Sequence, residues 1–201
     1  MSSWASQLFA QWRREGPEKL KRLEPYVRRL AGSGGHQVGW RGALALLLHE
    51  AGQVEEARGI YEQELEPGPQ GLPHGMFWLT RIALLSEMCA KLGDVARAEL
   101  LYAELAPHAS RNVVVAYCSF WGPVDGYLAL LAETAGDPVR AAEHARSAVD
   151  RSRAIHAPLL ARDLEIRFDH LVGRRGSHAA TPNPYSHARA ARRSMSGAGR
   201  A

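Results

Sequence analysis

The sequence predicts an all-α fold of stacked helical hairpins, with about nine helices in a domain at 1–172 and a disordered tail at 173–201. Two observations predict it. Three segments align without gaps around glycines that lie 41 and 43 residues apart, and a repeat of this length indicates a stack of helix pairs. The hydrophobic content of 46% in 201 residues is also sufficient for a core.

Each repeat is predicted to form a helix, a glycine turn and a second helix. An apolar helical stripe precedes each glycine. It consists of a leucine eight residues before the glycine, a small residue seven before it and a leucine or methionine five before it. Alanine follows five residues after the glycine, and small residues at matched offsets let paired helices approach closely. A glycine can adopt the left-handed conformation that ends a helix. The turns are at Gly52, Gly93 and Gly136, the leucines at Leu44, Leu85 and Leu128, and the alanines at Ala57, Ala98 and Ala141.

Weaker helical patterns flank the three repeats. Apolar residues at helical spacing predict a degenerate first pair at 4–14 and 17–31 and a last helix at 157–171 that shields the end of the stack. Residues 173–201 are rich in Arg, Ser, Gly, Ala and Pro without periodicity, so they are predicted to be disordered.

The repeat resembles the tetratricopeptide repeat (TPR) over residues 37–155, since the leucine, small residue, glycine turn, alanine and aromatic fall at the offsets of that family. It departs from the family in its longer period and in lacking a proline that closes each unit, because the family repeats every roughly 34 residues. The resemblance implies a TPR-like α-α superhelix, or solenoid, with longer linkers between units.

A second resemblance covers most of residues 17–171. These stretches are similar to the C-terminal TPR-like region of large bacterial signalling regulators, where it follows a nucleotide-binding regulatory ATPase and is joined to a class III nucleotidyl cyclase or a LuxR-type DNA-binding domain. The resemblance implies a regulatory, partner-sensing role in signalling or transcription. The stretches that carry it are Trp78-Leu79-Thr80, Ala83-Leu84-Leu85-Ser86-Glu87, Arg111-Asn112-Val113-Val114-Val115, Gly122-Pro123-Val124 and Leu160-Ala161-Arg162.

The sequence predicts no catalysis and no cofactor. The glycine-rich segment 32–35 lacks the lysine of a phosphate-binding loop, so ATPase activity does not carry over. The nine histidines include no pair at the i, i+4 spacing of a helical metal site. Adjacent Asp169 and His170 point about 100° apart on a helix, which disfavours acid/base work. Cys89 and Cys118 are expected to be buried free thiols.

The positive charge lies in the tail. Residues 173–201 contain six of the 25 basic residues and no acidic residue, which leaves 19 basic and 21 acidic residues elsewhere. Nucleic acid is therefore an unlikely partner, except for weak and salt-sensitive binding through the tail. The chain lacks an apolar run of about 18 residues or a secretory leader, so we expect a cytoplasmic protein that does not enter membranes.

TPR geometry predicts a concave groove lined by the exposed side of each first helix. Mixed charge at its candidate positions favours a protein or peptide partner, although these residues are equally consistent with ordinary solvated surface. The candidates are His49, Glu50, Glu87, Ala90, Lys91, Glu133 and Thr134.

Residues 111–121 form a β-branched and aromatic run that interrupts the helical pattern. We expect a buried linker between two repeats, with no strand. The alternative is a small-molecule pocket walled by Tyr117, Phe120 and Trp121. The sequence thus favours a non-catalytic protein-interaction module over a small-molecule sensor or a tail-dependent nucleic-acid regulator, and it leaves the partner and the oligomeric state open.

Overall fold

The computed structural model describes residues 22–32, 40–66, 68–72, 74–75, 77–115 and 119–172. Over these ranges the chain is mainly helical, as the all-α prediction requires. The helix predicted at 4–14, the first five residues of the helix predicted at 17–31 and the tail at 173–201 lie outside the described residues. The nine α-helices of the described part are α1 (Glu24–Gly32), α2 (Trp40–Glu50), α3 (Val54–Glu64), α4 (Trp78–Leu92), α5 (Val95–Leu105), α6 (Val124–Thr134), α7 (Pro138–Ala154), α8 (Pro158–Arg167) and α9 (Asp169–Val172).

The three predicted glycine turns separate three helix pairs. Gly52 lies between α2 and α3, Gly93 between α4 and α5, and Gly136 between α6 and α7. Their φ angles of 86°, 65° and 85° lie in the left-handed region, where side chains other than glycine are strained. The two helices of each pair contact each other. These glycines therefore reverse the chain where the sequence predicts it.

Aspartate side chains cap the second helices of the second and third pairs. Asp94 accepts a hydrogen bond from the backbone N–H of Arg97 at 3.1 Å, and Asp137 accepts one from Arg140 at 2.9 Å. Each bond satisfies an otherwise unpaired N–H group of a helix N-terminus. The Asp-x-x-Arg spacing thus starts α5 and α7 at equivalent points of the repeat.

The first helices α2, α4 and α6 form the centre of the core. Each contacts the next one along the chain, and nearly all their residues from 42–48, 82–89 and 124–132 are buried. Small residues permit this approach: a Cβ atom placed on Gly42 of α2 lies 3.1 Å from Cβ of Leu84 in α4. Ala45, Ser86 and Ala129, the small residues of the repeat, are each 0% exposed.

A β-hairpin corrects the prediction for residues 111–121. β1 (Asn112–Val115) pairs with β2 (Ser119–Pro123) in an antiparallel sheet, with Val113 opposite Gly122 and Val114 opposite Phe120. Trp121 is the extra residue of a bulge at this point of the ladder. β-Branched and aromatic side chains favour extended backbone, and here that preference produces paired strands between α5 and α6 where we expected an irregular linker.

The predicted last helix is divided at Phe168 into α8 and α9. Both pieces pack on α7, and their buried residues are Ala161, Leu164 and Phe168. A Cβ placed on Gly126 of α6 lies 3.4 Å from Cδ2 of Leu164. The C-terminal helices therefore continue the stack past the third pair.

Candidate functional site

Most of the predicted groove residues lie at the C-terminal ends of the first helices, where two of them, Lys91 and Glu50, pair with each other. The Nζ atom of Lys91 in α4 forms an ion pair with Oε1 of Glu50 in α2. Nε2 of His170 in α9 lies 2.6 Å from Oε1 of Glu133 in α6. Both contacts join the ends of helices from different pairs. The structure thus holds these charges in two separate pairs, one between α2 and α4 and one between α6 and α9.

The other predicted positions at these ends are partly covered. His49 is half-buried, and burial, together with the charge of Lys91, lowers the pKa of its imidazole. Thr134 donates its hydroxyl to the backbone carbonyl of Leu130 at 2.7 Å. Ala90 packs against the apolar cluster between α6, α7 and α8. We call the surface formed by His49, Glu50, Lys91, Glu133 and Thr134 the end row.

Glu87 corrects the prediction of a long groove. It is 3% exposed because α4 lies between α2 and α6 and contacts both. Glu87 lies one turn before the end of α4, where these neighbours already enclose the helix. The middle of α4 is consequently closed to a partner, and the exposed or half-buried polar positions of the prediction are those of the end row.

A hydrogen-bonded chain that we did not predict joins three helices. The Tyr102 hydroxyl in α5 lies 2.7 Å from Nε2 of His144 in α7. Nδ1 of His144 lies 2.8 Å from Oδ1 of Asp125 in α6. The Asp125 carboxylate also accepts hydrogen bonds from the Ser147 hydroxyl at 2.9 Å and from the Arg151 guanidinium at 3.4 Å. Asp125 is only 3% exposed, so these donors compensate a buried charge.

A carboxylate that orients an imidazole toward a hydroxyl is the arrangement that many hydrolases use for proton transfer. Burial raises the pKa of the Tyr102 phenol here, although the nearby Arg140 opposes the rise. When Nδ1–H of a neutral His144 points at the Asp125 carboxylate, Nε2 accepts the hydroxyl hydrogen of Tyr102. The chain of Tyr102, His144 and Asp125 is thus suited to bracing α5, α6 and α7 against one another.

The same junction has a counterpart between the first and second pairs. The Tyr61 hydroxyl donates to Oδ2 of Asp94 at 3.3 Å, and the guanidinium of Arg97 lies 5.6 Å from the Tyr61 ring centre. In the next unit, the guanidinium of Arg140 lies 4.1 Å from the Tyr102 ring centre. Each tyrosine is the aromatic residue nine after the turn glycine, so this repeated spacing is the signal that could have predicted the junctions.

The predicted aromatic pocket is not assembled by its two described residues. Phe120 is 40% exposed, opposite Val114, which is 44% exposed. Trp121, the extra residue of the bulge, is partly buried and packs against the main core. Tyr117 lies outside the described residues. Within the two described strands, the exposed apolar side chains are the cross-strand pair Val114 and Phe120.

Other site types are not found among the described residues. No group of three or more His, Cys, Asp or Glu side chains in them is placed to hold a metal ion. Cys89 is a buried free thiol, and burial raises its pKa to about 11. None of the helices described combines the length and the apolar character needed to cross a bilayer.

Comparison with known proteins gives no relative from which a function can be transferred. No family model, curated protein or solved structure matches this chain.

Proposed function

We propose that the chain is a non-catalytic, TPR-like helical-repeat module of a cytoplasmic bacterial signalling or transcriptional regulator, and that it binds a protein or peptide partner. Any cyclase or ATPase activity would belong to domains that accompany it. The proposal includes a TPR-like superhelix, in which each helix pair adds to the one before it. Such stacks serve mainly as scaffolds that present an extended binding surface.

The observation that supports this proposal best is the repeated junction between units. In both junctions, a tyrosine nine residues after one glycine meets an arginine four residues after the next glycine. Tyr61 meets Arg97, and Tyr102 meets Arg140. A similar contact at two successive junctions is expected when neighbouring units are related by a similar displacement, which is the defining property of a solenoid.

The end row is the surface we propose for the partner. It offers acidic, basic and hydroxyl groups at the C-terminal ends of α2, α4 and α6, and a peptide presents both donors and acceptors to such a mixture. Lys91 is exposed although it pairs with Glu50. Exposed ion pairs of this kind contribute little to stability, typically about 0.2–1 kcal/mol. A partner can therefore displace the pair at small cost.

The proposal is tested by selecting peptides against the immobilised full-length chain and measuring the affinity of one selected peptide by calorimetry. Lys91→Glu is expected to weaken binding at least about tenfold, the equivalent of roughly 1.4 kcal/mol. The matched control is Glu62→Lys, a charge reversal at an exposed residue of α3 outside the end row. Equal affinity of the two variants, or selection of no peptide, would contradict the proposal.

A small-molecule sensor is the second candidate, and the exposed pair Val114 and Phe120 favours it. A metabolite library screened by thermal shift should then yield ligands that raise the melting temperature. The shift should disappear in Phe120→Ser and persist in Val95→Ser, a change at an apolar residue of α5 that is 58% exposed. A shift that persists in Phe120→Ser rules out this location.

A further inference from the structure

One face of α8 carries an apolar and charged stripe that faces solvent. Leu159 is 73% exposed and Ile166 is 44% exposed, and Arg162 and Asp163 between them are also exposed. Spacings of three, four and seven residues place all four side chains on one side of a helix. The buried residues of α8 lie on the opposite side.

This stripe corresponds to the face through which the first helices stack. In the stack, the residue ten before one turn glycine meets the residue nine before the next. A Cβ atom placed on Gly42 lies 3.1 Å from Cβ of Leu84. When Gly173 is counted as the next glycine, the same relation holds for Gly126, whose added Cβ lies 3.4 Å from Cδ2 of Leu164. At this one point α8 approaches α6 as α4 approaches α2, while most of its other packing is on α7 and α9.

By the same count, Asp163 and Ile166 of α8 are equivalent to Gly126 and Ala129 of α6. Gly126 and Ala129 are covered by α8 and the apolar cluster around it. Asp163 and Ile166 are uncovered within the described chain, although they belong to the face that packs in every earlier unit. Their larger side chains prevent the close approach that the small residues of the earlier units permit.

The stripe is complementary to itself. When two α8 helices lie antiparallel about a two-fold axis between positions 162 and 163, Leu159 of one faces Ile166 of the other. Arg162 of each chain then faces Asp163 of the other, which gives two ion pairs between the chains. Neither Arg162 nor Asp163 has an ion pair with another residue of the described chain, whereas the neighbouring Arg153 pairs with Glu165.

We propose that a second copy of this chain docks on the α8 stripe, so that the module forms an isologous dimer through antiparallel α8 helices. In an isologous interface the same patch is used on both subunits, and the self-complementary order of leucine, arginine, aspartate and isoleucine meets this requirement. α8 has ten residues and is about 15 Å long at 1.5 Å per residue. The contact is therefore small, and the dimer is weak and reversible.

The test uses sedimentation velocity of the full-length chain over a wide range of concentration at low salt. The wild-type chain is expected to shift from monomer to dimer as concentration rises. Asp163→Arg places two arginines against two arginines in the proposed pair, and Arg162→Asp places aspartates against aspartates. Each variant alone is therefore expected to remain monomeric, with at least about a tenfold increase in dissociation constant, or roughly 1.4 kcal/mol.

Complementation makes the test specific for this geometry. An equimolar mixture of the Asp163→Arg and Arg162→Asp chains is expected to form a heterodimer, and the double exchange in one chain should restore the homodimer. Leu159→Glu should abolish association, whereas Val139→Glu, at a residue of α7 that is 69% exposed, should leave it unchanged. All of these residues are exposed, and circular dichroism checks that each variant keeps its helices.

A chain that stays monomeric at every concentration overturns the proposal. So does a dimer that survives Leu159→Glu, because association then uses another surface, or a charge-reversed mixture that stays monomeric. These outcomes are independent of the peptide experiment, since none of the substituted α8 residues belongs to the end row.

Discussion

Replacing Asp125 by alanine should destabilise the fold more than any other single charge removal in the described chain. The carboxylate is 3% exposed and accepts short hydrogen bonds from His144 and Ser147, with a longer one from Arg151. A hydrogen bond to a charged group contributes about 1.5–3 kcal/mol. His144 and Arg151 are partly exposed, so water replaces part of what they lose. We therefore expect a loss of about 3 kcal/mol in the free energy of unfolding.

The assay is urea denaturation followed by helical circular dichroism and by tryptophan fluorescence. Coincident transitions are needed for the two-state treatment, because repeat stacks can unfold in parts. Asp150→Ala is the matched control. Its carboxylate is 74% exposed and lies 3.4 Å from Arg153, so it should cost less than about 0.5 kcal/mol. A loss below about 1 kcal/mol for Asp125→Ala would show that the network does not brace the three helices.

Three further predictions concern single residues. Gly93→Ala should destabilise the fold by about 1 kcal/mol, because the φ of 65° at this residue strains an alanine. Gly59 lies inside α3 with open space around it, so Gly59→Ala should stabilise the fold by up to about 1 kcal/mol. Equal urea midpoints for the two variants would contradict this prediction. The lowered pKa of His49 means that the unfolded chain binds its proton more readily, so stability should fall as pH drops from about 7 to 5. His49→Gln should reduce this slope in melts at both pH values, and an unchanged slope would refute the assignment. The third prediction concerns the buried Cys89 thiol, whose pKa is raised to about 11. In a Cys118→Ser variant, Cys89 should react with a thiol reagent only as fast as the chain opens. Rapid labelling of the native protein would be inconsistent with that burial.

The helix pairs were predictable because their determinants are local and repeated. A turn glycine must reach positive φ, and a residue seven positions earlier must be small if another helix is to pass close to it. Gly52, Gly93 and Gly136 meet the first requirement. Both constraints act within one unit, so a single repeat of the sequence already contains them.

The groove was predicted incorrectly at Glu87 because exposure depends on neighbours that are distant in sequence. Offsets within one helix locate a face, but only the packing of α2 and α6 against α4 determines whether that face is open. A carboxylate in the middle of an apolar helix normally indicates solvent. At 3% exposure, Glu87 departs from that tendency, and nothing in its local sequence distinguishes it from an exposed glutamate.

The brace between Tyr102, His144 and Asp125 escaped prediction for the same reason. The hydroxyl and imidazole are 42 residues apart, and the imidazole and carboxylate 19 apart. Side chains that share a site on one helix lie three or four residues apart in the sequence, and neither of these two pairs has such a spacing. The repeat period supplies the missing information: a residue nine after one turn glycine meets the start of the next unit's second helix, so His144 can be placed near Tyr102 from the period alone.

The repeat period also locates the end of the stack. The position seven before the turn glycine is occupied by Ala45, Ser86 and Ala129, all 0% exposed, and then by Ile166 when Gly173 is used as the reference. Small side chains occur where another first helix follows, and the larger isoleucine occurs where none follows in the described chain. A further first helix cannot approach α8 as closely as α4 approaches α2. The larger side chain at this position therefore disfavours the close packing seen between α2 and α4, and the exposed apolar surface of α8 suits the contact of different geometry proposed above.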